Sequence, residues 1–569
     1  MTIPLSRRQV LSLGAAIPLV ARLGVTRPND SPLPPVPPPS GSTAFVSIVS
    51  TRLAETRADI GAFGFTRLDA NTIRVQVAGR QGVPAGAAAA VLNVTVANVT
   101  GPGFVTVYPA GEARPQASNV NVERSGQVIA NLVTVRLGFN GSVDIFSSRS
   151  NDIIVDVNGV YVPVSAAVSA GRFVALENAY RAIDTRNRGY PVGIGGTEHV
   201  SVSAVVPADA IAVVINLTIT ETSGPGFWTA YPTGGQRPNA SSLNADAAGQ
   251  TRANQAIVPV SSDGSTFGVD VFASYGGHLI VDIAGYFTGS TANASIVGLF
   301  VPNAPYRVLD TRLVPNYGRL YPGWVVEFDY WGRPTSQAVV ANLTTTATRG
   351  AGFFTGYPAR TYRPLASNLN ASYANQTIAN HAILRVSTAG VAVFTQSGGH
   401  LIVDIAGYFT GSPVGAPLPA PVNIPPPSQL PYFLSIPALG VSAAVVEGVE
   451  ASVVDAGYVG HWPGTGLAGQ NGHMVLFAHR TSSTALFRNL HLLGPGDEIV
   501  IYAADGRVYH YTYIRRDITG EDSSDIYNAG LWAPFPSVSL VACSKTNFLP
   551  TNTSYRIVVT FSLTFVEPG

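Results

Sequence analysis

"VSLVACSKTNFLPTNTSYRIVV", residues 538–559, carries the only cysteine of a 569-residue chain. Two apolar runs rich in β-branched residues flank a stretch of Ser, Thr, Asn and Pro, the pattern of a strand, a loop and a returning strand. Cys543 ends the first run and Arg556 opens the second, so the hairpin returns Arg556 to the strand end that the chain left. One cysteine cannot close an intramolecular disulfide, which leaves Cys543 as a buried inert side chain, a partner for another molecule or a reactive thiol.

The composition extends the β reading to the whole chain. With 46% hydrophobic and 12% charged residues and a net charge of +1, the protein can bury large cores and offers no electrostatic footprint for nucleic acid. Its 58 Gly and 42 Pro punctuate short Val, Ile, Thr and Tyr runs, which indicates an all-β protein of three to five domains.

Residues 1–26 read as an export signal. Arg7 and Arg8 precede an apolar stretch of about a dozen residues, too short to span a bilayer, in a pattern that resembles a twin-arginine leader. The expectation is an extracytoplasmic protein, secreted or associated with the cell surface or wall. Proline-rich linkers follow at 27–43 and 413–431.

Between the linkers the chain repeats itself, at 44–163, 170–290 and 297–412. "TRLAETR", "YRAIDTR" and "YRVLDTR" open the copies, and "NDIIVDVNGVY", "GHLIVDIAGYF" and "GHLIVDIAGYF" close them. Asn93, Asn216 and Asn342 are spaced 123 and 126 residues apart, too far for a short solenoid repeat, so the copies read as tandem independent antiparallel sandwiches or barrels. The recurring Tyr108, Tyr231 and Tyr357 can line a face that binds cell-wall glycan, but an aromatic repeated at one place in a duplicated domain reads better as core. Asp184 with Arg186, and Asp310 with Arg312, read as internal ion pairs, and Glu55 replaces the aspartate in the first copy. The Asn-x-Thr triplets sit within apolar alternation and read as strand.

Residues 432–569 differ in kind. Five of the nine histidines gather there with Cys543. They lack metal-ligand spacing, and there is no second cysteine to complete a zinc site. Nucleophilic catalysis by a thiol beside an imidazole remains. His479 ends "HMVLFAHR" as Cys543 ends "VSLVAC", and two strand ends meeting at one rim can hold both side chains together. The Arg556 guanidinium can then neutralise an oxyanion or hold a substrate carbonyl.

"LSIPALGVSAAVVEGV", "GHWPGTG", "NGHMVLFAHRTSS", "FRNLHLLGPGDEIVIY" and the hairpin from Cys543 to Arg556 together resemble a sortase of the actinobacterial class E or F kind. The resemblance implies a closed β-barrel and a cysteine transpeptidase, with peptidase (hydrolase) chemistry in its first half-reaction. Such an enzyme cuts an LPXTG-like sorting signal through a thioester and passes the acyl group to an amine of peptidoglycan or a pilin. By the same resemblance Cys543 is the nucleophile, His479 the general acid and base, and Arg556 the substrate-binding cation, with no metal or organic cofactor. Ala542 and Ala478 depart from the threonine and glycine usual before the cysteine and the histidine. "LPTNT" at 549 and "WPGTG" at 462 look like sorting signals but read as loops of the domain. The alternative reading is a structural or adhesive surface protein whose barrel is catalytically inactive.

Overall fold

The computed structural model describes residues 37–567, apart from 315–316, 331–335, 422–429, 483, 531–532, 534–535 and 551–553. The expected export signal with Arg7 and Arg8, and most of the first linker, lie outside the described residues. No helix among the described residues is long and apolar enough to cross a membrane.

Each repeat folds as two packed antiparallel sheets. In the first, the inner sheet orders Thr43–Glu55, Asp152–Pro163, Ala89–Ala97 and Ile129–Arg136, and the outer sheet centres on Ser142–Ser147 and Gly103–Pro109. The second copy repeats the inner order with Phe173–Asp184, His278–Phe287, Ala212–Thr220 and Arg252–Pro259. The third does so with Phe300–Asp310, His400–Thr410, Ser336–Thr346 and Ile378–Arg385.

The repeated motifs are one ion network per copy. Asp184 receives Arg186 at 2.6 Å and Arg181 at 3.4 Å, while Arg181 also reaches Asp282 of the closing motif at 2.8 Å. Copy 3 does the same with Asp310, Arg312, Arg307 and Asp404. In copy 1 the longer Glu55 carboxylate meets Arg57 and Arg52, and Arg52 meets Asp156. Tyr108, Tyr231 and Tyr357 are buried, so they pack the sandwiches and do not form an open glycan face.

The copies are not independent. Ala89–Ala97 is buried along its whole length, and most of Ala212–Thr220 and Ser336–Thr346 is too. A strand buried on both faces must be covered twice. One face packs on the copy's own outer sheet, and the other meets the neighbouring copies in a common core. Six aromatic rings close that core. Phe45 stacks on Phe287 at 4.1 Å between centroids, Tyr161 meets Phe300 at 4.3 Å, and Phe173 meets Phe409 at 4.5 Å, which links copies 1 to 2, 1 to 3 and 2 to 3.

Polar contacts run around the same axis in one sense. Asn93 Nδ2 donates to the Ser241 carbonyl of copy 2, Asn216 to Ser367 of copy 3, and Asn342 to Ser118 of copy 1, at 2.5–2.8 Å. The backbone N–H groups of Leu132, Gln255 and His381 donate to Asn254, Asn380 and Asn131, closing a second ring. The buried asparagines of the Asn-x-Thr triplets are thus interface groups, each supplying the donor that a buried carbonyl requires.

The C-terminal part is a closed barrel with strands β1 (Tyr432–Ile436), β2 (Val441–Glu447), β3 (Val459–His461), β4 (His473–Phe477), β5 (Glu498–Tyr502), β6 (Val508–Gly520), β7 (Ser537–Ser544) and β8 (Tyr555–Glu567). They close in the order β1-β2-β3-β4-β7-β8-β6-β5. Helix α1 (Ala451–Val454) lies between β2 and β3, and α2 (Ser523–Gly530) between β6 and β7. The described start of the second linker is held against copy 3, where Val414 N–H donates to Val386 and Leu418 N–H to Arg360. Gln470 of the barrel donates to the Pro322 carbonyl of copy 3 at 2.8 Å.

Candidate active site

Side chains alternate across a strand, and that alternation sorts the barrel wall. Val538, Leu540 and Ala542 of β7, Met474, Leu476 and Ala478 along β4, and Ile557 and Val559 of β8 fill the interior. The two alanines noted in the sequence therefore face inward. Val541, Val475 and Val558 point outward and pack under Ile526 of α2. Phe477 packs beside them, and the next outward positions beyond Phe477, Val541 and Val558 are His479, Cys543 and Arg556.

The register aligns the three. β4 and β7 run parallel, with His473 beside Ser537 and Phe477 beside Val541. The offset of 64 (537 − 473) is also that between Cys543 and His479 (543 − 479). On the other side β7 and β8 run antiparallel, and Cys543 and Arg556 are direct partners. All three side chains are half-buried.

Two carboxylates that the sequence reading missed hold the flanking groups. Asp455, the C-cap of α1, meets His479 Nε2 at 2.7 Å. With Nε2–H donating to the carboxylate, Nδ1 is left with a lone pair for a thiol proton. Glu521 receives Arg556 Nη2 at 3.4 Å, and Nη1 donates to the Tyr555 carbonyl. Neither acid had a sequence signal, since the four-residue α1 and the β6–α2 turn are too short to carry a periodicity of their own. A pocket of about 240 Å³, lined by Lys545, Thr546, Asn547 and Tyr555, opens at the same hairpin.

The other histidines of this part have structural partners. His461 is held by Glu447 and the Gly466 carbonyl. His473 is buried against Ser537, and burial pulls its imidazole down to about 3. His491 is lowered by burial and by Arg480, and His510 sits between Glu567 and Glu498. "WPGTG" is a turn closed by Thr465 on the Trp462 carbonyl. The look-alike at 549 begins in a turn where Lys545 N–H donates to Leu549, and 551–553 lie outside the described residues.

Residues 434–564 match the sortase domain family. Solved structures similar to this part include sortase E1 of Streptomyces coelicolor, solved with a tripeptide in its active site. It is 25% identical and covers 26% of this chain and 94% of its own, with a TM-score of 0.23. Sortase A of Actinomyces oris is 19% identical over 26% and 87% of the two chains, with a TM-score of 0.22. Sortase A of Listeria monocytogenes is 21% identical over 24% and 88%, with a TM-score of 0.21. A search of the curated proteins found no match. The sortase domain is the closed eight-stranded barrel, and the three repeats lie outside the matched range.

Proposed function

We propose that the chain is an exported cysteine transpeptidase. Its substrate would be an LPXTG-like sorting signal of a surface protein, and its acceptor an amine of the cell wall or a pilin. The observation that supports this reading is the outward row of His479, Cys543 and Arg556 at the end of one barrel wall.

In the first half-reaction His479 Nδ1 takes the thiol proton as the Cys543 sulfur attacks the scissile carbonyl, and Arg556 donates to the carbonyl oxygen as it becomes an oxyanion. The imidazolium returns the proton to the leaving amine, and a thioester remains on Cys543. In the second, an incoming amine loses its proton to His479 and attacks the thioester, which releases a new amide and restores the thiol. Asp455 keeps the histidine in the tautomer that this cycle needs.

The test is mass spectrometry of the full chain after incubation with LPXTG-like and LAXTG-like peptides, with and without an amine. A hydroxylamine-labile adduct on Cys543, diverted to an amide product by the amine, is the expected result. No adduct with any peptide, together with activity indifferent to thiol alkylation, refutes the reading.

A further inference from the structure

We infer that Arg480 is a positioning residue for Cys543, a buried cation that fixes the sulfur against His479 and favours its thiolate form. The inference rests on Cys543 being the nucleophile of the proposed function.

The first observation is an isolated charge. Arg480 is 1% exposed, and burying a guanidinium is costly unless it is paired. Among the described residues Arg480 makes no ion pair. Its Nη1 donates to the Cys543 carbonyl at 3.0 Å, Nη2 to the Phe548 carbonyl at 2.8 Å and Nε to the Arg488 carbonyl at 3.3 Å. Nη2 also lies 3.1 Å from His491 Nδ1. Every partner is neutral or a potential cation, so the fold holds an unneutralised charge here.

The second observation is what those contacts join. Arg480 follows His479 in the chain, grips the residue that carries the sulfur, and grips the hairpin that leads to Arg556. One rigid fork therefore sets the spacing of all three groups, as a planar guanidinium can and a flexible ammonium cannot.

The third is the surrounding charge. The charged and titratable groups placed around Cys543 are His479 and Arg480 in the loop after β4, its register partner Arg556 on β8, and Lys545 two residues along its own hairpin. Behind them Arg516 of β6 lies 4.7 Å from the Phe548 ring. The carboxylates Asp455 and Glu521 are already engaged by His479 and Arg556. The surplus is positive, and a thiolate is the anion that can answer it. Burial pulls the Arg480 guanidinium down to about 10, and the charge on Cys543 acts in the opposite direction.

The test uses full-length Arg480→Met and Arg480→Lys, reading the rate of Cys543 alkylation by iodoacetamide against pH beside thermal melting. The Met variant should move the alkylation midpoint up by about one unit or more, the size of an opposite charge removed from close range. The Lys variant, which keeps the charge, should move it by less than about half of that. A Met variant that melts cooperatively with an unmoved midpoint overturns the inference. If the Met variant does not fold, peptide turnover by the Lys variant decides. Loss of the fork should lower kcat about tenfold or more with KM within about twofold, and an unchanged kcat overturns the positioning role. The alkylation profile needs no sorting peptide. A missing substrate therefore sinks the transpeptidase proposal alone, and an unmoved profile sinks this inference alone.

Discussion

Phe409→Ala tests whether the three repeats are one cooperative body. Phe409 is fully buried, and its ring lies 4.5 Å from Phe173, 5.2 Å from Phe300, 6.1 Å from Phe287 and 6.3 Å from Tyr161. One side chain thus touches rings of all three copies. Truncating a buried phenylalanine costs about 3–5 kcal/mol, because contacts are lost and a cavity stays behind in a core that cannot fully collapse. At about 1.4 kcal/mol for each factor of ten, the slowest amides should exchange with solvent about 10²–10³-fold faster or more. The location of the effect is decisive. If the shared core unfolds as a unit, hydrogen exchange read by mass spectrometry will show that acceleration in Ala89–Ala97 of copy 1 and Ala212–Thr220 of copy 2 as well as in copy 3. Amides of β4 in the barrel serve as the internal control. Acceleration confined to 297–412 would refute the shared-core argument, however large it was.

Cys543→Ala should abolish thioester formation with little change in melting temperature, since the sulfur sits at a half-buried rim. His479→Ala should lower kcat/KM by several orders of magnitude, and the double variant should be no worse than Cys543→Ala alone. Asp455→Asn, which keeps the shape but loses the charge, should lower kcat/KM about tenfold, and an unchanged value would remove Asp455 from the proposed cycle. His381 is held between Gln255 and Thr134 and pulled down to about 3 by burial, whereas the unfolded imidazole titrates near 6.5. The unfolded chain therefore binds a proton in this window that the folded one refuses, and stability falls as pH falls from about 6.5 to 3. His381→Gln or His381→Leu should flatten that slope in urea melts at several pH values, and an unflattened slope counts against the assignment. Replacing Arg7 and Arg8 by lysine should block export, and normal secretion would rule out the twin-arginine route.

Much of the barrel was legible because strand alternation and turn chemistry are local signals. The run ending at Cys543 and the run starting at Arg556 were long and clean enough to read as partners, and His479 followed by analogy of strand ends. Asp455, Glu521 and Arg480 were not legible as members of the site, since their partners lie 24, 35 and 63 residues away and pairings across loops leave no periodic trace. The repeats show the same divide. The copy number and sheet class followed from motif spacing, but their mutual packing did not. A signal for it existed: "AAAAVLNVTVANV", "IAVVINLTIT" and "QAVVANLTTT" are near-continuous apolar runs, the mark of strands covered on both faces, rather than the apolar-polar alternation of free-standing sandwiches.

The closed ring of copies has a consequence at low concentration. A threefold body made of separate chains falls apart once diluted below its dissociation constant. Here Val164–Arg172 and Thr288–Leu299 tie each copy to the next. Short tethers hold the partners at effective concentrations on the order of millimolar whatever the surrounding volume. Tethering also frees the axis from identity: Leu132, Gln255 and His381 occupy one equivalent position, a mixture that no assembly of three identical chains could place around one axis.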